Sequence, residues 1–527
     1  MTSTVDAAPA RDERVVPQEP AAADPAESPY VGPVVGRTPA QRLRPLLPTD
    51  RWWGWLGPGL VTALAGFLSF NRLSRPHGLM FDEVYYAKDA YALLRHGYEL
   101  NGAGDGPGFV VHPPLGKWLI ALGEAAFGNN ELGWRFSAAV VGTLSVLILA
   151  RTARRLTGST LLGCFAGLLL SLDGLHFVSS RISMLDIFLM FWVTAGFACL
   201  VADRDLGRAR LARALSSGRP VRPAGPRLGV RWWRLAAGGS LGAACATKWS
   251  GVYYVAAFGL LAFAWEVGAR RTAGVRAPVR AVLRREAASL LAFLAVVPVV
   301  VYLAAWTGWF ATGGGWDRHW AAGHGTVGGG VAALRGLWHY HAEALHFHAN
   351  LSSHHPYQSH PEGWLLLERP VAYFYTAPRL GELGCAARDG CSRAVLGIGT
   401  PAVWWVSILA LVAMLWLWLA RRDWRAAAIL GCVSAGIAPW LATPKRTMFL
   451  FYALPTLPFL ILALTLSAGL VLGTATAGRV RRAWGAAVVG GYALLVTANF
   501  FYLYPILSAK VIPYAAWYSR MWFKNWI

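Results

Sequence analysis

Apolar runs of near 20 residues recur along the whole chain, divided by short arginine-rich segments and by two longer polar stretches. About 20 helical residues cross a hydrocarbon core of about 30 Å, so each run is long enough to span a bilayer. The runs predict spans near 52–70, 132–150, 158–177, 184–202, 233–247, 250–267, 287–306, 400–420, 426–442, 447–471 and 484–504. The expected fold is therefore an all-α integral membrane protein, a polytopic bundle of about 11 transmembrane helices.

Arginine placement orients the spans. Arg151, Arg154 and Arg155 follow the second span, eight arginines occupy 203–232, and six occupy 268–286. Arg421, Arg422 and Arg425, then Arg479, Arg481 and Arg482, complete the set. All these loops fall on one side, which the positive-inside rule makes cytoplasmic. The stretch 233–267 reads as two short spans turning at Lys248, because one long span would put the arginines of 268–286 outside. The N-terminus is then inside. The C-terminus and two large loops, 71–131 and 307–399, lie outside the plasma membrane.

Composition agrees. Hydrophobic residues make up 55% of the 527 and charged residues 14%, whereas soluble domains carry about 25% charged residues. The net charge of +22 invites a nucleic-acid partner. Its spread over alternate short loops excludes the clustered basic face such a partner needs. Residues 1–47, rich in Ala, Pro, Glu and Arg, read as a disordered cytoplasmic tail, and the first apolar run as a signal anchor. Residues 505–527, with Trp517, Trp522 and Trp526, read as an outer tail lying along the membrane surface.

Candidate chemistry gathers at the outer boundary. Asp82-Glu83 opens a helical pattern that ends at Gly97, a plausible C-cap. Asp82 either caps that helix or serves as a general base, and Glu83 either complements the helix dipole or assists. Adjacent helical positions point about 100° apart, so the two carboxylates have different tasks. His112 and Lys117 bracket a second helix start at Pro113-Pro114. Arg135, Arg181, Asp186, Lys248, Trp249 and Arg446 all map to outer span ends. Charges at such positions are functional candidates, although an Arg181–Asp186 ion pair would be purely structural. Together they outline a cationic pocket beside carboxylates, suited to an anionic lipid phosphate. Nine of the 13 histidines fall in 307–399, without the paired spacing and carboxylate of a metal motif. No metal site is expected. Cys385 and Cys391 share that outer loop and are candidate disulfide partners. A secondary transporter would show internal repeats and midplane charges, and neither is visible.

The ordered set Asp82-Glu83, His112-Pro113-Pro114-Leu115-Gly116-Lys117, Arg181-Ile182-Ser183-Met184-Leu185-Asp186, Thr247-Lys248-Trp249-Ser250-Gly251 and His355-Pro356-Tyr357-Gln358-Ser359 resembles the protein O-mannosyltransferases. It looks most like their actinobacterial members, which use polyprenyl-phosphate-mannose. The resemblance covers roughly residues 50–527. It implies a GT-C glycosyltransferase fold with an outer catalytic pocket, inverting, with no cofactor and with the lipid-linked sugar as substrate. Asp82 would be the base and Glu83 its companion, with Arg135 supporting the site. Acceptors would be secreted or membrane proteins, with the Sec translocon as a candidate route. The alternative is a GT-C enzyme acting on a lipid or cell-wall glycan. Two departures stand out. The sugar-binding-like domain that eukaryotic members insert in the second outer loop is absent, and the family's Asn-Pro-Trp reads His360-Pro361-Glu362-Gly363-Trp364.

Overall fold

The computed structural model describes residues 38–45, 47–217, 225–226, 228–325, 329–474 and 476–527. Helices α1 (Pro39–Leu43), α2 (Trp53–Phe70), α3 (Glu83–His96) and α4 (Leu115–Phe127) lead into α5 (Glu131–Thr157) and α6 (Thr160–Ser171). Then come α7 (Gly174–Ser179), α8 (Leu185–Ser216), α9 (Trp232–Thr247), α10 (Gly251–Thr272) and α11 (Pro278–Arg285). A single π turn interrupts α12 (Ala287–Ala305). Helix α13 (Gly330–Asn350) precedes α14 (Pro401–Arg421), α15 (Trp424–Leu441), α16 (Leu450–Leu472) and α17 (Arg479–Leu507).

Among the described residues, nine helices are long and apolar enough to cross a membrane: α2, α5, α8, α10, α12, α14, α15, α16 and α17. The other two predicted spans are shorter. Helix α9 has 16 residues, and α6 has 12. The segment expected at 158–177 is split because the Asp173 side chain starts α7, accepting from the His176 N–H at 3.0 Å. The same carboxylate accepts from the Thr400 N–H (3.0 Å) and Trp404 Nε1 (2.8 Å), tying this break to the start of α14.

Helices α16 and α8 form the centre, with 83% and 72% of their most apolar windows buried. The figures for α12 and α17 are 11% and 17%, which puts those two at the lipid-facing rim. Close helix contact needs small residues, because lipid gives no hydrophobic reward for association. A Cβ added at Gly238 of α9 would lie 1.7 Å from the Phe293 carbonyl oxygen of α12.

The segments expected to be loops carry structure. Helices α3 and α4 fill 71–131. A three-stranded antiparallel sheet, ordered β1 (Val371–Thr376), β2 (Cys391–Gly397), β3 (Ile512–Pro513), joins the second loop to the C-terminal segment. Cys385 and Cys391 are disulfide-bonded at the start of β2, with Cα atoms 5.8 Å apart. The C-terminal segment packs back onto the second loop. There Trp526 Nε1 donates to the Leu367 carbonyl at 2.8 Å, and Arg369 donates to the carbonyls of Asn525 and Ile527. Residues 1–37 of the expected disordered tail lie outside the described residues. Residues Pro39–Leu43 correct it, forming a helix with a Thr38/Gln41 capping box. Its Leu43 is buried against Leu211, Ala212, Leu228 and Ala269.

Three of the arginines at the other end of the bundle are buried rather than solvated. Arg231, Arg234 and Arg270 interlock with Asp203, Glu266 and Glu286 at 2.7–3.3 Å. Three cations meet three carboxylates, so the charges cancel while six side chains bind α8, α9, α10 and the start of α12 together. Removing one member leaves the others uncompensated, which costs about 3–5 kcal/mol. Arg234→Met should therefore lower the thermal melting point sharply. Double replacement of Arg234 and Glu266 by Met and Leu should cost less than the two single changes summed, measured in the same detergent.

Candidate active site

Two anchors deliver the first candidate carboxylate. Arg181 places Nη1 on the carbonyls of Leu68 (2.9 Å), Ser69 (2.7 Å) and Asn71 (2.7 Å), and Nη2 on that of Arg72 (3.0 Å). It thus satisfies the free carbonyls at the end of α2. Arg135 continues the clamp, donating to the carbonyls of Pro76 (2.9 Å) and Gly78 (2.8 Å) and to both oxygens of Glu83 (2.9 and 2.8 Å). Glu83 also accepts from the backbone N–H groups of Met80 (2.8 Å) and Ser183 (3.0 Å).

These contacts revise three expectations. The Arg181 guanidinium is occupied by backbone carbonyls, and that of Arg135 by carbonyls and Glu83. Asp186 does not pair with Arg181. Glu83 is fully engaged, which leaves it no lone pair for an acceptor hydroxyl. Lys117 differs as well: it is buried in contact with Glu99 and lies 3.8 Å from Asp89, binding α4 to α3.

Asp82 points elsewhere. It sits at the start of α3 but makes no side-chain bond to the helix N–H groups, so it is not a capping residue in this structure. Phe81, just before it, takes a left-handed conformation at φ 48°, which is costly for a bulky side chain. The ring is caged by Tyr373, His355, Phe449 and Phe451, with centroids 5.3–6.0 Å away. The half-buried Asp82 carboxyl is pushed up to about 6 by desolvation. The nearby charge of Lys248 opposes that rise and Asp186 adds to it.

Lys248 is the hinge of the site. It terminates α9 and donates to both oxygens of Asp186, at 2.9 and 3.0 Å, over the Tyr452 ring at 4.3 Å. On its other side stand His112, His348 and Arg446. The His112 and His348 rings are 5.4 Å apart. Burial holds both imidazoles below their ordinary range, His348 at about 4, and the Lys248 and Arg446 charges reinforce this. Arg446 Nη1 donates to the His348 carbonyl at 2.6 Å, while its buried Nε has no partner among the described residues. Trp249, next along the turn, meets the His348 ring at 5.7 Å. Lys248 thus links the carboxylates of Asp82 and Asp186 to two neutral imidazoles and the Arg446 guanidinium. Among the described residues, no group of three or more His, Cys, Asp or Glu is placed to hold a metal ion.

Two family models cover the chain: dolichyl-phosphate-mannose-protein mannosyltransferase over residues 59–311, and the C-terminal four-transmembrane region of protein-O-mannosyltransferase over 333–526. The polyprenol-phosphate-mannose--protein mannosyltransferase of Mycobacterium tuberculosis is 43% identical over 96% of this chain and 98% of its own. The chain belongs to the protein O-mannosyltransferase family. The Corynebacterium glutamicum relative of the same description is 37% identical over 89% of this chain and 91% of its own. The solved Saccharomyces cerevisiae protein O-mannosyltransferase Pmt1–Pmt2 complex bound to the sugar donor superposes with a TM-score of 0.69 at 16% identity. That match covers 90% of this chain and 92% of the other, and shows a shared GT-C fold.

His348, Tyr452 and the Phe449–Phe451 pair were not singled out from sequence. The His341–His348 spacing of seven places both on one face of α13, a usable signal. The aromatic run at 449–452 was hidden inside an apolar span. The His355-Pro356-Tyr357 segment, whose continuation departs from the family pattern, nonetheless supports Phe81 through His355.

The two carboxylates should separate on substitution. Glu83→Gln strands the buried Arg135 charge and should cost about 3 kcal/mol or more. Asp82 is different, because a carboxyl raised in the folded state loses stability as pH climbs from its unfolded value of 3.8 through about 6. Asp82→Asn should therefore melt no lower than wild type at pH 8, by calorimetry in detergent.

Proposed function

We propose that the protein transfers mannose from polyprenyl-phosphate-mannose to Ser or Thr hydroxyls of exported proteins, at the outer face of the plasma membrane and with inversion. The observation that carries this reading is Asp82: a desolvated carboxylate, free of capping duty, beside Lys248, whose charge also reaches two neutral imidazoles and the Arg446 guanidinium. A single displacement needs a base on one face of the anomeric carbon and a stabilised phosphate on the other. Asp82 takes the hydroxyl proton as the oxygen forms its bond to the anomeric carbon. The bond from that carbon to the phosphate oxygen breaks, and the electron pair leaves on polyprenyl phosphate. Lys248 and Arg446, the latter with its unpartnered Nε, are assigned to the phosphate, with His112 and His348 as neutral imidazole partners. Glu83, Arg135, Arg181 and Lys117 are positioning residues, and Asp186 holds Lys248.

No cofactor is assigned, since the donor already carries an activated leaving group and side-chain cations offset its charge. The arginine-rich loops favour a cytoplasmic N-terminus, with the cleft and the C-terminus outside. Acceptors are secreted or membrane proteins, for which the Sec translocon is the proposed route of delivery.

The test is transfer of labelled mannose to a Ser/Thr peptide by purified protein. Wild type should transfer, and the rate should climb with pH through about 6 as Asp82 gives up its proton, then level off. Asp82→Asn, unable to accept a proton, should lose roughly a hundredfold or more. Retention of more than half the rate would move the base elsewhere.

A further inference from the structure

Behind Trp249 runs a directional chain of hydrogen bonds across three separate elements. Trp249 Nε1 lies 2.9 Å from the Tyr302 hydroxyl of α12. That hydroxyl lies 2.5 Å from His341 Nε2 on α13, and His341 Nδ1 lies 2.6 Å from the Leu337 carbonyl. The donors follow from chemistry. A carbonyl only accepts, so Nδ1 carries the proton. Burial lowers the proton affinity of His341 and keeps the imidazole neutral, so Nε2 accepts. Tyr302 must then donate to His341, and its oxygen accepts from the indole N–H. Every link has one direction, and none is spare.

The indole gains a fixed plane from this. It stacks on the His341 ring at 5.7 Å and 21°, and meets the His348 ring edge-on at 5.7 Å; the His348 carbonyl accepts from Arg446. The half-buried Trp249 is thus a wall of the cleft whose tilt is set from behind. The indole meets the ring of His348, whose carbonyl accepts from Arg446, so it borders the groups assigned to the phosphate. Aromatic faces suit the C–H face of a hexose in such a position.

We propose that Tyr302 and His341 are positioning residues for this reaction, which hold the Trp249 indole as the platform for the sugar–phosphate end of the donor. The proposal rests on the transferase reading above. Neither residue touches the donor; both act through Trp249. The chain also explains why α13, which belongs to the second polar segment and not to the bundle, is needed at the cleft.

Purified full-length variants test it in two ways. With polyprenyl-phosphate-mannose varied and peptide fixed, Tyr302→Phe and His341→Ala should each raise the donor KM about three- to tenfold, the worth of one lost hydrogen bond. Their kcat should stay within about twofold of wild type, and each should still give a cooperative melt. His341→Gln, whose amide oxygen still accepts from Tyr302, should restore the donor KM. The double variant Y302F/H341A should be no worse than the worse single, because both break one chain. Unchanged donor KM in both single variants, or multiplying effects in the double, would overturn the proposal. The second readout needs no activity. Nitrogen-15 spectra of histidine-labelled protein, with His341→Gln for assignment, should show the Nδ1–H tautomer at His341. The Nε2–H tautomer would refute the chain, whereas absent transfer by wild type beside the expected tautomer would count against the transferase reading alone.

Discussion

The buried pair between Arg135 and Glu83 governs the geometry of everything near the cleft. An unpaired guanidinium inside protein is prohibitively costly, so Arg135 must be satisfied. It is satisfied by the chain that leads to Asp82: the carbonyls of Pro76 and Gly78, then both oxygens of Glu83. Glu83 in turn bonds Ser183, at the turn into α8. A segment with little apolar content is thereby fixed to the most buried helices of the bundle. Once Glu83 points at Arg135, helical geometry turns Asp82 away from it, toward Lys248.

Division of labour between the charges follows. Those closest to the bundle axis end in complete pairs or on backbone carbonyls and do structural work. Those with unused capacity face the cleft: Asp82 without a capping bond and Arg446 with an idle Nε. Lys248 belongs to both sets, since Asp186 occupies it while its charge reaches Asp82 on one side and His348 on the other.

Periodicity and length made the helices legible, because a span must satisfy its own backbone and be apolar throughout. Each predicted span has a helix in its place, and the turn at Lys248 was legible from arginine parity. What composition cannot reveal is which polar groups pair across the chain. Arg135 reads as an isolated cation because its carboxylate lies 52 positions earlier. Lys117 likewise finds Glu99 only once α3 and α4 pack. Arg231 and Arg270 look like loop charges until α8, α10 and the start of α12 bring three acids to them. The small sheet was invisible for the same reason: β3 is two residues that become a strand only against β2.

The cage around Phe81 draws on chain segments near 355, 373 and 449–451, two of them outside the helical bundle. Such peripheral layers open at lower free energy than a lipid-embedded core. When this one opens, the left-handed turn at Phe81 is free to relax, and the carboxylate beside it loses its aim. The aim of Asp82 and the integrity of the bundle are then two separate thermodynamic events, and gentle heating should disturb the first well before the bundle unfolds.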